Sequence, residues 1–147
     1  MQQGAKVELF GGQAKPGTAL FRPMILSNIR PGQRAYSEEL FGPVALVLEA
    51  KNAEDAVRLA NDSRFGLGAA VWTGDARKGE AMARQIESGA VFVNGLVKSM
   101  NELPFGGVKK SGYGRELSYL GIREFVNQKS IWIGKPAEPA EREANTE

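Results

Sequence analysis

The sequence predicts an α/β fold in which a largely parallel sheet is flanked by helices. Short apolar runs, such as residues 44–48 and 89–95, alternate with amphipathic stretches such as residues 53–61. Strands that alternate with helices favour βαβ units, whose strands run parallel. The chain has 147 residues, of which 42% are hydrophobic. This length and composition predict one compact unit with a sizeable core.

The first half of the chain predicts three strands and one helix. Residues 5–10 alternate in polarity, which is typical of a half-buried strand. Residues 19–29 are apolar around Pro23 and predict an extended, edge-like strand. Residues 44–48 form a continuous apolar run and predict a buried strand. Asn52 is a good N-cap for a helix over residues 53–61.

The second half continues the alternation. Residues 67–72 predict a strand, and Asp75 caps a second helix whose apolar stripe includes Met82 and Ile86. Residues 89–95 predict another buried strand, residues 117–125 a short amphipathic helix, and residues 128–134 a final strand. Residues 135–147 contain two prolines, four glutamates and no large apolar side chain. They predict a disordered tail.

Residues 104–116, which we call the glycine loop, interrupt this pattern with four glycines in thirteen residues. The glycines are interleaved with large side chains such as Phe105 and Tyr113, so the segment is a shaped loop and not a flexible linker. Two interpretations stay open: a structural loop that closes over a sheet edge, or a ligand-facing loop. The ligand-facing interpretation is supported by the position of the loop after the predicted strand at 89–95, because ligands bind beyond the carboxyl ends of parallel strands.

The composition excludes several kinds of chemistry within the chain. It contains no Cys and no His, which excludes disulfides, Cys/His metal sites, thiol nucleophiles and Ser-His-Asp catalysis. We expect no metal. Lys and Arg number 19 against 17 for Asp and Glu and alternate with them, which argues against a nucleic-acid partner. No apolar run of membrane-spanning length is present, and we expect a cytoplasmic protein with no membrane partner.

Two adjacent carboxylates, Glu38 and Glu39, stand just before the apolar run at 44–48. They are either a solvated turn or a ligand-facing carboxylate held by the rigid turn Phe41-Gly42-Pro43, in which proline fixes its own φ and restricts the preceding residue. The residues themselves do not decide between these interpretations.

Four sequence motifs follow one another along the chain: Glu-Glu-Leu-Phe-Gly-Pro at 38–43, Asn-Asp-Ser-Arg-Phe-Gly-Leu at 61–67, Gly-Ala-Val-Phe-Val-Asn at 89–94, and Pro-Phe-Gly-Gly-Val-Lys-Lys-Ser-Gly at 104–112. Together they resemble the carboxyl-terminal part of the NAD(P)-dependent aldehyde dehydrogenases. The resemblance covers about residues 4–134, and residues 112–125 are most similar to the succinate-semialdehyde dehydrogenase branch. It implies a catalytic-domain portion over residues 1–126, an oligomerisation strand over 127–134 and a disordered tail over 135–147.

The resemblance also implies roles for individual residues. Glu39 matches the glutamate that holds the ribose hydroxyls of the nicotinamide, and Phe41 matches an aromatic packed beside that ribose. Phe105 corresponds to an aromatic of the substrate tunnel, Glu116 to a glutamate of water activation or proton relay, and Ser99 to a serine that binds the substrate carboxylate.

Alternatives stand beside two of these roles. Phe105 is equally well explained as plain packing. Glu116 can instead pair with Arg115 or cap the helix that follows.

In the family, a cysteine thiolate attacks the aldehyde, hydride passes to the nicotinamide, and a glutamate-activated water releases the acid. This chain contains no Cys and cannot supply that thiolate. The resemblance therefore implies a fragment that is inactive alone and binds neither NAD nor NADP. The full-length enzyme would use one of these cofactors to oxidise a small aldehyde. It also implies a homodimer or tetramer formed through residues 128–134.

Two other functions remain in view. One is a non-enzymatic assembly module that dimerises through the terminal strand. The other is a free-standing phosphate- or nucleotide-binding protein, which the absence of Walker or Rossmann spacing disfavours.

Overall fold

The computed structural model describes residues 4–12 and 15–136. The three helices predicted from the sequence are present, the first with the predicted ends and the others with slightly different ones. The short helix Arg34–Ser37 and the two-residue strands Phe65–Gly66 and Val108–Lys109 were not predicted. The elements in chain order are β1 (Lys6–Phe10), β2 (Met24–Ser27), α1 (Arg34–Ser37), β3 (Val44–Leu46), α2 (Ala53–Asn61), β4 (Phe65–Gly66), β5 (Gly68–Val71), α3 (Ala76–Ala83), β6 (Ala90–Val93), β7 (Val108–Lys109) and α4 (Ser118–Arg123).

Local capping explains why the two longer helices begin where the sequence predicts. The side-chain oxygen of Asn52 accepts a hydrogen bond from the Asp55 amide at 2.8 Å at the start of α2. Asp75 accepts from the amides of Arg77 and Lys78 at the start of α3. Each cap satisfies amides that have no partner inside the helix. A signal within four residues of the helix start therefore sets both boundaries.

The described strands form three small sheets, one mixed, one parallel and one antiparallel, so the prediction of one largely parallel sheet is not confirmed. Within the described ranges, β2 pairs with β1 antiparallel and with β3 parallel. β5 and β6 pair in parallel, as a βαβ unit around α3 requires. β4 and β7 pair antiparallel across more than forty residues of chain. That pairing places part of the glycine loop in a sheet.

The compact core that the composition predicts is not formed. Among residues 4–12 and 15–136, the buried hydrophobic side chains are those of Ile29, Val57 and Val71, and each of them keeps 7–8% exposure. The segment predicted as a buried strand is only partly covered, since Val47 is 48% exposed. Large side chains such as Phe10 and Phe125 are more than half exposed. Much apolar surface is therefore left uncovered.

Residues 128–134 form no strand within the described chain, because no neighbouring segment pairs with them. Ile131, Trp132 and Ile133 are all largely exposed. The predicted disordered tail falls mostly on residues 137–147, which lie outside the described residues. In the part that is described, no helix is long and apolar enough to cross a membrane.

Candidate functional site

The glycine loop closes on itself through an antiparallel bridge between Phe105 and Glu116. Each amide of this pair donates to the carbonyl of the other, and both N···O distances are 2.8 Å. Residues directly opposite in such a pair project their side chains to the same side. The bridge therefore brings an aromatic ring and a carboxylate together, and these are two of the five site residues predicted from the sequence.

Close backbone packing attaches the loop to the entry of β6. A Cβ atom on Gly89 would lie 1.6 Å from the Gly106 carbonyl oxygen, and one on Gly107 would lie 2.5 Å from the Cβ of Ser111. Only glycine permits backbones to approach this closely. The paired glycines thus allow the loop to pack against the backbone that leads into β6. This structural role does not prevent other parts of the loop from facing a ligand.

Side chains complete the attachment. The Ser111 hydroxyl accepts a hydrogen bond from the Gly66 amide of β4 at 3.0 Å. Arg115 Nη1 donates to the carbonyls of Gly107 and Gly114 at 2.9 and 2.6 Å. Because Arg115 is engaged inside the loop, the alternative in which it pairs with Glu116 is not observed. The Glu116 side chain remains exposed.

The two adjacent carboxylates before β3 have different surroundings. Glu38 pairs with Arg34 at 2.9 Å, and this hydrogen bond holds the pKa of the Glu38 carboxyl below its usual range. Glu39 instead lines a cavity of about 540 Å³. Ser63, Lys110 and Ser111 contribute polar groups to the same cavity. The structure therefore selects Glu39 as the carboxylate that faces a space of ligand size.

The Phe105–Glu116 bridge lines an adjoining cavity of about 400 Å³, with Tyr113 and Phe125 among its other walls. Leu67 and Ser111 border both cavities. The Glu39 cavity and the bridge cavity are therefore neighbours that share two wall residues.

Phe41 and Ser99 lie apart from this region. Phe41 has a φ of 41° and is 90% exposed. Ser99 is exposed, and its neighbours Lys98 and Met100 line a third cavity of about 360 Å³ together with Phe105. The structure thus brings three of the five predicted residues to adjoining cavities and leaves two outside them.

Sequence reasoning missed three residues that build the region. Leu67 forms a wall of both cavities, Ser111 joins the loop to β4, and Lys109 Nζ pairs with Glu87 at 2.8 Å. The Lys-Lys-Ser run in the glycine loop contains Lys109 and Ser111, and the motif at 61–67 ends at Leu67. These two stretches were the sequence signals that could have identified the three residues. Among the described residues, no group of three acidic side chains is placed to hold a metal ion.

Cavities of a few hundred Å³ with apolar walls and a few polar groups are typical of small-molecule sites in proteins. The model of the aldehyde dehydrogenase family matches residues 1–131. The chain belongs to the aldehyde dehydrogenase family, and the resemblance seen in its four motifs is confirmed.

Individual relatives agree with this placement. A probable succinate-semialdehyde dehydrogenase [NADP(+)] of Synechocystis is 50% identical over 84% of this chain and 27% of its own length. A succinate semialdehyde dehydrogenase [NAD(P)+] of Escherichia coli is 47% identical over 90% of this chain and 29% of its own. The chain therefore spans between a quarter and a third of the length of these curated relatives.

Solved structures match in fold as well. The crystal structure of succinic semialdehyde dehydrogenase from Streptococcus pyogenes, in complex with NADP+ as the cofactor, superimposes with a TM-score of 0.86 at 37% identity. It covers 91% of this chain, which corresponds to 30% of that protein. A Mycobacterium tuberculosis aldehyde dehydrogenase complexed with NAD+ gives a TM-score of 0.83 at 32% identity, covering 94% of this chain and 29% of that one. The relatives thus include proteins bound to each of the two cofactors expected from the sequence.

Proposed function

We propose that this chain supplies one side of the cofactor and aldehyde site of an NAD(P)-dependent aldehyde dehydrogenase that oxidises succinate semialdehyde to the acid. The observation that carries the proposal is that the Glu39 cavity and the bridge cavity adjoin, with Leu67 and Ser111 as shared walls. An enzyme that passes hydride from an aldehyde to a nicotinamide needs adjoining cofactor and substrate spaces. The names of the relatives support the choice of aldehyde.

Glu39 is the group proposed to hold the nicotinamide ribose. An ionised carboxylate offers two acceptor oxygens, which suits a pair of hydroxyl donors. The residues present fit this role, because Glu39 is exposed to a cavity and carries no ion pair with a neighbour among the described residues. When bound, NAD or NADP supplies the hydride acceptor. Phe41 is proposed to pack beside the ribose, which would cover a ring that is largely exposed here.

The bridge residues are proposed to form the substrate side. The Phe105 ring gives an apolar wall that excludes water, and the Glu116 carboxylate on the same side can accept a proton from a water molecule. Ser99 is proposed to donate a hydrogen bond to the distal carboxylate of the substrate. Its separation from the bridge is compatible with recognition of the far end of a short dicarboxylic semialdehyde.

The nucleophile of family chemistry is a cysteine thiolate, and this chain contains no Cys. We therefore propose that residues 1–126 are the carboxyl-terminal portion of a catalytic domain, that residues 127–134 are its oligomerisation strand, and that catalysis requires a segment supplying the thiol. We expect the 147-residue chain alone to bind neither cofactor firmly and to show no turnover.

The test is reconstitution. The chain is co-expressed with the part of the Escherichia coli relative that precedes the matched region, and aldehyde-dependent reduction of NAD and NADP is measured. We expect activity with succinate semialdehyde in the mixture and none from either part alone. Turnover by the isolated chain contradicts the proposed need for an added thiol.

A matched pair of variants tests the site in the reconstituted enzyme. Glu39→Gln removes a charged acceptor, and we expect KM for the cofactor to rise by about tenfold, the usual effect of losing a charge-assisted hydrogen bond. Glu38→Gln is the control, since Glu38 is paired with Arg34 and is not among the residues that line the cavity. Equal effects of the two variants contradict the ribose role.

A second candidate function, a non-enzymatic module that dimerises through residues 128–134, is favoured by the exposed Ile131-Trp132-Ile133 segment. Assembly and catalysis are compatible, and a homodimer or tetramer remains the proposed state. A cytoplasmic location stays a prediction.

A further inference from the structure

Three consecutive residues at the end of α2, Asn61 to Ser63, contact several of the elements around the candidate site. We call them the α2 turn. The Asn61 side chain donates to the Gln85 carbonyl and accepts from the Glu87 amide, both at 2.8 Å. These bonds hold the segment between α3 and β6. The α2 turn is therefore tied to the chain that leads into β6.

The α2 turn also reaches the cofactor side of the site. Asp62 Oδ2 accepts a hydrogen bond from the Tyr36 hydroxyl at 2.5 Å. Tyr36 belongs to α1, which ends two residues before Glu39. Ser63 itself lines the Glu39 cavity. The position of Glu39 is therefore linked to the α2 turn through a short side-chain contact and a short stretch of chain.

Lys109 connects the same turn to the substrate side. Its ammonium donates to the carbonyls of Asn61 and Ser63 at 2.8 and 3.0 Å and pairs with Glu87 at 2.8 Å. These three contacts use all three donors of the ammonium. The side chain is only 24% exposed, so the contacts are partly shielded from water.

The backbone of Lys109 carries a cost that its side chain offsets. Its φ is 55°, in the left-handed region, where a residue other than glycine is strained because its Cβ lies too close to the following carbonyl oxygen. Lys109 also pairs with Phe65 in the β4–β7 ladder, four residues from the Phe105–Glu116 bridge. The ammonium contacts hold this strained backbone against the α2 turn.

We propose that Lys109 is a positioning residue that holds the substrate wall and the Glu39 cavity in a fixed relation through the α2 turn. Lys109 touches neither cavity and acts through the residues it holds. The assignment of one cavity to cofactor and the other to substrate rests on the proposed function. The mechanical coupling between the cavities through Lys109 does not, so the assignment and the coupling can be tested separately.

Amide hydrogen exchange of the 147-residue chain, followed residue by residue by NMR, tests the coupling. We compare Lys109→Met, which keeps the aliphatic stem and removes the ammonium, with Lys110→Met as the neighbouring control. Lys109→Gly is added because glycine relieves the left-handed strain. We expect exchange at the amides of Asp62, Phe105 and Glu116 to be about tenfold faster in both Lys109 variants. An effect of this size corresponds to the loss of one to two charged hydrogen bonds. The β1–β2 amides should not change.

Three results overturn the proposal. The first is unchanged amide exchange in Lys109→Met. The second is wild-type exchange in Lys109→Gly, which would mean that only the backbone conformation of residue 109 matters. The third is faster exchange at every amide, including those of β1 and β2, which would indicate general destabilisation.

The reconstituted enzyme gives an independent measurement. There we expect Lys109→Met to raise KM for both cofactor and aldehyde, whereas the exposed-lysine control Lys78→Met changes neither. If reconstitution yields no activity, the exchange result still stands and only the proposed function fails. If activity is obtained and Lys109→Met changes KM for one ligand alone, the coupling is contradicted.

Discussion

At the residue scale, neighbouring side chains of the same type have different roles because of the contacts each one makes. Glu38 and Glu39 are adjacent and identical in the sequence, yet one pairs with Arg34 and the other faces a cavity. Lys109 and Lys110 differ in the same way, since the ammonium of Lys109 is bound by two carbonyls and a carboxylate. The residues alone did not decide between Glu38 and Glu39, and the family resemblance singled out Glu39.

The pH dependence of α2 should follow Asp55. Hydrogen bonds from the Lys51 amide and the Arg58 side chain lower the pKa of the Asp55 carboxyl. A group with a depressed pKa stabilises the fold above its unfolded value and loses that contribution as pH falls through the folded value. We expect Asp55→Asn to reduce the free energy of unfolding in urea at about pH 7, and the difference from wild type to shrink toward zero in acid below about pH 4.

The matched control for Asp55 is Glu54→Gln, which alters a carboxylate in the same first turn of α2 that makes no such pair among the described residues. A wild-type-to-Asp55→Asn difference that stays constant through the acid range contradicts the assignment.

Ser111 should matter for stability out of proportion to its size. Its hydroxyl accepts the hydrogen bond of the part-buried Gly66 amide. Ser111→Ala leaves that amide without its partner, and we expect a loss of about 1–2 kcal/mol in the free energy of unfolding. Ser99→Ala removes an exposed hydroxyl and should change stability by less than about 0.5 kcal/mol. The comparison is made by urea titration, and equal losses contradict the role of Ser111.

At the element scale, local signals predicted the helices and distant pairings defeated the sheet prediction. Asn52 and Asp75 fix the starts of α2 and α3 through contacts within four residues. The β4–β7 pair joins Phe65 to Lys109, and each strand has only two residues, too few to show a period. The same limit applies to α1, which is a single turn. Apolar runs gave strand positions but not strand partners.

Gly89 offers a sharp test of how the glycine loop docks on β6. A methyl group there would overlap the Gly106 carbonyl oxygen. The carbonyl belongs to the backbone and the methyl carbon is bonded directly to Cα, so neither can rotate away. We expect Gly89→Ala to destabilise the fold by about 3 kcal/mol or more. Gly74→Ala is the control, because open space surrounds that position. Thermal unfolding should show a large fall in Tm for the first variant and little change for the second.

At the scale of the whole molecule, the exposed apolar surface is the feature that composition failed to predict. A hydrophobic content of 42% is ample for a core, but burial requires elements that face each other. Here the three small sheets leave wide apolar faces open within the described residues. The family was predicted better than the core, because motif order identified the family even where packing could not be deduced.

Assembly through the terminal segment is the prediction that belongs to this scale. We expect deletion of residues 128–147 to lower the oligomeric mass in light scattering, because it removes the unpaired Ile131-Trp132-Ile133 segment. Trp132→Arg should lower the mass as well, without truncation. Trp72→Arg, which changes the other exposed tryptophan, should leave it unchanged. An unchanged mass after the deletion contradicts terminal-strand assembly.

The two tryptophans of the chain also have a spectroscopic consequence. Trp132 is 89% exposed and Trp72 is 65% exposed, and the chain has no other indole. Intrinsic fluorescence of the monomer should therefore show the red-shifted emission of water-solvated rings. Burial of Trp132 against a second chain would move the emission to the blue. A dilution series of Trp72→Phe, with Trp132 as its single emitter, should thus follow assembly optically without any added dye.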